Sequence, residues 1–209
     1  TGSLIVNHKD INKIAFTGST QVGKLIQKSL AGRDVGLTLE LGGKAANIVY
    51  EDAAIDQAVE GVVNGIFFNQ GHVCCAGSRL LLQESIHDEF IKKLEKRMQS
   101  LRVGNPLDKN TDIGAINSKE QLDKITGLVN EGVEDGGELF QTECELPGNG
   151  FWFRPTLFTN VQPSYSIARE EIFGPVLTTL TFRTPEEAVE IANNTEYGLS
   201  AGVWTEKGS

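Results

Sequence analysis

Ile14-Ala15-Phe16-Thr17-Gly18-Ser19-Thr20-Gln21-Val22-Gly23 packs a short apolar run, a Gly-Ser turn and the start of a helical pattern into ten positions. Ile14 to Phe16 predicts a strand and Thr17 to Thr20 a turn. Val22, Leu25, Ile26 and Leu30 then recur at helical spacing. Strand, glycine turn and helix in that order begin a parallel sheet with crossover helices. The junction also gathers free backbone N–H groups and the positive end of a helix at one point, which suits a phosphate. Alone the signal is weak. Any α/β unit caps a helix with Ser or Thr, and the segment is neither a P-loop nor a GxGxxG fingerprint.

The alternation continues outward from this stretch. Thr38 to Leu41 and Ala46 to Tyr50 read as extended. Ile55, Val59, Val62 and Ile66 mark a helix, with Glu51-Asp52 suited to its N-terminus. Leu80-Leu81-Leu82 predicts a buried strand. Ile86, Phe90, Leu94 and Met98 stripe an amphipathic helix whose plain reading is core packing. A polar helix is expected from Ser118 to Glu131, and a hairpin or surface loop from Glu134 to Asn149. Thr156 to Val161, Val176 to Phe182 and Ala201 to Trp204 read as strands. Thr184-Pro185-Glu186-Glu187 is a capping box opening a helix to Asn193. The fold class is α/β with a mainly parallel sheet.

Composition narrows the function classes. The 209 residues carry a formal net charge of −9, with no basic stripe to displace counterions from a nucleic acid or an anionic membrane. No apolar run reaches the ~18 residues of a membrane span. Three cysteines, two of them adjacent, build no disulfide framework and no zinc-type spacing, so no metal site is expected. The expected setting is a reducing compartment, the cytoplasm first, with the mitochondrial matrix left open.

Two segments carry candidate chemistry. In Phe67-Phe68-Asn69-Gln70-Gly71-His72-Val73-Cys74-Cys75-Ala76-Gly77-Ser78-Arg79, a bend at Asn69 to Gly71 would set Cys74 on a turn facing a cleft. Cys75 is the rival thiol, and a His72–Cys74 dyad is disfavoured because side chains two residues apart need not meet. In Leu39-Glu40-Leu41-Gly42-Gly43-Lys44, a carboxylate lies inside an apolar stretch. Glu40 is either a structural ion-pair partner or a general base held near neutrality by partial desolvation. Gly42-Gly43 would let backbone approach a ligand closely. A thiol nucleophile with a separate base describes acyl chemistry through a thioester. A fourth segment, Arg169-Glu170-Glu171-Ile172-Phe173-Gly174-Pro175-Val176, is a rigid turn into a strand. One of its acids could accept from a ribose and its ring could flank a planar base; the plain reading is a loop anchor.

Together, and in this order and spacing, these four segments resemble the aldehyde dehydrogenase superfamily over the whole chain. Phe16 to Gly23 is similar to its coenzyme loop, Leu39 to Lys44 to its glutamate motif, Phe67 to Arg79 to its cysteine motif, and Glu170 to Val176 to its ribose-binding turn. Ala58 to Val63, Leu82 to Ser85 and Val203 to Glu206 resemble family 16, whose members carry tandem aldehyde dehydrogenase-like regions. The resemblance implies residues 1–42 as the end of a Rossmann-like coenzyme domain, and 43–209 as a catalytic domain cut short at its C-terminal end. It implies Cys74 as nucleophile and Glu40 as base, with the Cys74 N–H in the oxyanion hole. Gly18 and Ser19 would meet the coenzyme pyrophosphate, and Gln121 and Lys124 would lie near the adenosine ribose. Glu171 would bind the nicotinamide ribose, with Phe173 beside the ring. NAD is the implied coenzyme, with NADP open, an aldehyde the substrate, and a homo-oligomer (dimer or tetramer) the assembly.

Two departures qualify the resemblance. The family normally has Gln or Glu where this chain has His72. Its oxyanion-hole asparagine, the lysine that grips the adenosine ribose and the strand completing its dimer sheet come from regions outside these 209 residues. Little turnover is therefore expected of the 209 residues alone. A non-catalytic, aldehyde dehydrogenase-like interaction module is the alternative, and a coenzyme-free thioesterase a more remote one.

Overall fold

A computed structural model describes residues 1–207. The chain divides into two compact units, Thr1–Gly42 and a larger one beginning at Gly43. Gly208 and Ser209, where the sequence places the cut end of a catalytic domain, lie outside the described residues.

The first unit runs α1 (Gly2–Val6), β1 (Lys13–Thr17), α2 (Thr20–Leu30) and β2 (Gly36–Glu40). Its two strands pair in parallel, Lys13 opposite Gly36 through Thr17 opposite Glu40. The turn between β1 and α2 forms because Ser19, in extended backbone, accepts a hydrogen bond from the Val22 N–H at 3.3 Å and caps the helix. Ile14, Ile26 and Leu30 make a small buried core, with Phe16, Val35 and Leu37 packed against it. Along β2 the exposure alternates: Leu37 and Leu39 are half-buried, whereas Thr38 and Glu40 are exposed.

The larger unit contains β3 (Ala46–Val49), α3 (Ile55–Phe67), β4 (Arg79–Gln83), α4 (His87–Met98), α5 (Lys119–Glu134), β5 (Glu138–Gln141), β6 (Thr156–Thr159), α6 (Ser166–Arg169), β7 (Val176–Phe182), α7 (Pro185–Asn193) and β8 (Ala201–Trp204). These strands form one six-stranded sheet in the order β5-β6-β7-β4-β3-β8. Every neighbouring pair is parallel except β5 with β6. Burial on both faces explains the unbroken Leu80-Leu81-Leu82 run. Leu80 and Leu82 join the core with Val62, Ile66, Phe90, Leu94 and Met98, while Leu81 points the other way, into a cluster with Leu180, Phe182 and Ala188. A third cluster seats α5 through Ile125 and Val129 against Phe158, Ile167 and Ile172. No helix among the described residues is long and apolar enough to cross a membrane.

Three local expectations change. Glu51 and Asp52 do not lead the helix, which starts at Ile55 with Asp56 in its first turn. Their carboxylates instead accept from the Ser85 and Thr205 hydroxyls and pin the preceding turn. Of the two readings after Glu134 the hairpin is the nearer, but only its first arm, β5, lies in that stretch, and its antiparallel partner β6 follows at Thr156–Thr159. The capping box is also incomplete. Thr184 Oγ1 accepts from the Glu187 N–H, but the Glu187 carboxylate accepts from Arg183, one residue ahead of the cap.

Topology decides where chemistry can collect. Gly18, Ser19 and Glu40 stand at the carboxyl ends of β1 and β2, where open α/β sheets usually hold ligands. In the larger unit the opposite edge carries the motifs. The segments leading into β3, β4, β7 and β8 (neighbouring parallel strands) converge at the amino end of the sheet, bringing Gly43-Lys44, Cys74, Glu171 to Phe173 and Tyr197 to one side.

Candidate active site

The thiol loop starts where α3 stops. Asn69, Gln70 and Gly71 are all left-handed, with φ of 50°, 48° and 74°, a conformation that costs a non-glycine residue about 1 kcal/mol. Local bonds offset it. Asn69 Nδ2 donates to the His72 carbonyl at 3.1 Å, and Gln70 Oε1 accepts from the Gly114 N–H at 3.0 Å. Gly71 permits no side chain, because a Cβ there would lie 2.1 Å from the Gly174 carbonyl oxygen. The bend releases a tight loop in which Ala76 N–H donates to Val73 O and Gly77 N–H to Gly65 O. Cys74 is half-buried in it and Cys75 exposed, and all three cysteines are free. Among the described residues the Cys74 N–H has no hydrogen-bond acceptor.

Gly43 and Lys44 press on this loop from β3. A Cβ on Gly43 would sit 2.5 Å from the Cys74 carbonyl oxygen. The close approach expected between Gly42-Gly43 and a ligand is thus made, at Gly43, to the backbone of the thiol loop itself. The Gly43 N–H donates to Glu171 Oε1 at 3.0 Å. Lys44 is only 2% exposed, and its Nζ has no partner among the described residues. Burial, and next the Arg79 guanidinium, push its pKa from 10.5 down to about 7, against the pull of Glu171 and Glu170. Arg79, itself buried, ties three elements together. It donates to the Lys44 carbonyl at 2.8 Å and to the Ile191 and Ala192 carbonyls at the end of α7. Nothing local to Lys44 except its place after two glycines hints at its burial, since lysine is ordinarily a surface residue.

Across from the thiol loop lies the turn into β7. Gln121 Nε2 donates to the carbonyls of Ile172 and Phe173 at 2.9 and 3.0 Å, and Lys124 Nζ to that of Glu171 at 2.6 Å. The resemblance gave these two side chains to an adenosine ribose; here their heads hold the turn. They fix Phe173 in a left-handed conformation, φ 56°. The ring of His72 meets that of Phe173 with centroids 5.2 Å apart. His72, not assigned to Cys74, therefore faces the turn. Glu171 keeps Oε1 on Gly43 and leaves Oε2 without a partner among the described residues, an acceptor suited to a vicinal diol. Tyr197, which the sequence reading passed over, has its hydroxyl pKa raised chiefly by burial, with the Glu171 backbone N–H opposing.

In the first unit, the Gly18 N–H donates to the Glu40 carbonyl at 3.0 Å, closing the turn over the end of β2. Ser19 Oγ is engaged with Val22, so an anion there would meet the helix N-terminus through backbone. Glu40 departs from the expectation of a shielded carboxylate. Alternation along β2 puts it on the exposed side, and among the described residues it makes no ion pair. Taken separately, the capped helix start of the first unit suits a phosphate, and in the larger unit the half-free Glu171 carboxylate suits a vicinal diol.

A free, half-buried thiol at the amino edge of a mainly parallel sheet, with glycine packed against its loop, is the arrangement the site presents. The particular family follows from comparison. The Aldehyde dehydrogenase family model matches residues 1–209, and the chain belongs to that family. It is 48% identical over 209 residues to retinal dehydrogenase 2 of Rattus norvegicus, covering 98% of this chain and 40% of that protein. Superposition on the NAD-dependent aldehyde dehydrogenase of Sinorhizobium meliloti gives a TM-score of 0.95 at 42% identity, over 99% of this chain and 41% of that one. The NAD+ complex of the Bacillus cereus enzyme gives 0.94 at 40% identity, over 99% and 42%. The chain thus spans about two fifths of the length of the relatives it matches. These likenesses speak for the superfamily and not for family 16 in particular.

Proposed function

We propose that the protein carrying this chain oxidises an aldehyde to a carboxylic acid with NAD, through a thioester on Cys74. The observation carrying this reading is the free, half-buried thiol whose own backbone N–H has no acceptor among the described residues. Family membership and the NAD-bound relative support it. Gly18 and Ser19 would hold the pyrophosphate, Glu171 the nicotinamide ribose, and Phe173 the side of the ring, with Gln121 and Lys124 acting through the turn they brace. When bound, NAD supplies the hydride acceptor.

The chain's own residues do the rest. The Cys74 thiolate adds to the aldehyde carbon, and the Cys74 N–H donates to the resulting alkoxide. Loss of hydride leaves an acyl thioester. Glu40 takes a proton from water, the hydroxide adds to the acyl carbon, and the C–S bond breaks to give the acid and the thiolate. Aldehyde-dependent NADH formation by the whole protein tests this. The Cys74→Ala variant is expected to lose at least a thousandfold in rate; a variant as fast as the unmodified protein would refute the reading and favour a non-catalytic module.

A further inference from the structure

Resting on the function proposed above, we infer that His72 is a positioning residue that locks the coenzyme-facing turn to the thiol loop through Phe173. His72 reaches three elements from one ring. Its Nδ1 lies 3.2 Å from the Gln70 carbonyl in its own loop. Its Nε2 lies 3.4 Å from Asn117 Oδ1, just ahead of the Ser118 cap of α5. Its face meets Phe173 at 5.2 Å and 49°. With Nδ1–H donated to the Gln70 carbonyl, the ring is anchored in its own loop, Nε2 lies beside the Asn117 side chain, and the remaining contact is with the phenyl group.

Phe173 needs such support. Its left-handed backbone is unfavourable for a residue of that size, and strain of this kind persists only where the surroundings impose it. Gln121 imposes it from the carbonyl side, and Gly71 packs against the next carbonyl, that of Gly174. Only His72 meets the aromatic ring itself among the described aromatic pairs. Glutamine at this position would keep a polar head but offers no ring. The histidine therefore adds a side-chain link between the segment bearing the nucleophile and the segment placing the nicotinamide.

The test is steady-state kinetics of the whole protein with H72Q, H72F and H72A. H72Q and H72A are expected to raise KM for NAD by about 3- to 10-fold, the range of a lost aromatic contact, with kcat changed less than KM. H72F keeps the ring and is expected to recover most of that loss. The H72A/F173A double variant should be no worse than F173A alone, because both remove the same contact. Unchanged KM in H72Q, H72F as damaging as H72A, or multiplying effects in the double variant would each overturn the inference. Should the unmodified protein form no NADH, the proposed function fails on its own. The contact is then read by hydrogen exchange at the Phe173 and Gly174 amides, expected at least tenfold faster in H72Q; equal rates overturn it.

Discussion

The two units use opposite ends of parallel strands. In Thr1–Gly42 the candidate residues Gly18, Ser19 and Glu40 sit where β1 and β2 finish, and their fixing is local: one helix cap and one backbone bond. From Gly43 onward they sit where β3, β4, β7 and β8 begin, and their fixing is long-range. Gly43 meets Glu171 and the Cys74 carbonyl, Gly71 meets Gly174, and Arg79 joins Lys44 to α7. A helix start that receives an anion needs only its own backbone. A thiol that must accept an acyl group in one geometry needs neighbours that cannot yield.

Glycine substitution should expose that difference most strongly. Gly71→Ala would put a Cβ against backbone at a positive φ, and about 3 kcal/mol of stability should be lost. Gly18→Ala would meet only the far end of the Phe16 ring, 2.5 Å away, which can swing aside, at about 1 kcal/mol or less. Urea unfolding of both variants checks the ranking. Equal costs would remove the distinction between rigid and yielding surroundings.

Lys44 offers a comparison of similar or smaller size, with a sign. Its folded-state pKa of about 7 lies below the ordinary 10.5, so the unfolded chain binds the proton more tightly. The penalty is full below about pH 7, shrinks as pH rises and vanishes above 10.5. Lys44→Met should therefore stabilise the protein by about 2–4 kcal/mol at pH 7, even though it also gives up the attraction to Glu171. The gain should shrink steadily towards pH 10. Denaturant midpoints at the two pH values measure it, and a gain that grew with pH would contradict a buried, unpartnered amine.

Much of this was legible in the chain. Short apolar runs located the strands around Ile14 and Leu80, and helical spacing the stripe from Ile86 to Met98, because those residues answer to local burial. Thr184 announced a cap for the same reason, and the Ser/Thr turn at Ser19 allowed one. What stayed hidden depends on pairing distant segments. Nothing local puts β8 beside β3 or the thiol at the amino edge. The exposure of Glu40 followed from strand alternation that the apolar flanks Leu39 and Leu41 obscured. Lys44 and the ring contact of His72 required the fold itself.

Acylation of one thiol can be seen directly. The whole protein bearing Glu40→Gln, chosen because Glu40 is the proposed hydrolytic base, is mixed with NAD and an aldehyde, quenched in acid within a turnover, and its peptides are weighed by mass spectrometry. The predicted result is the acyl mass on the peptide spanning Cys74, retained in Cys75→Ser and lost in Cys74→Ser. An acyl group that follows Cys75, or aldehyde-dependent NADH appearing with no acylated cysteine at any quench time, would contradict it.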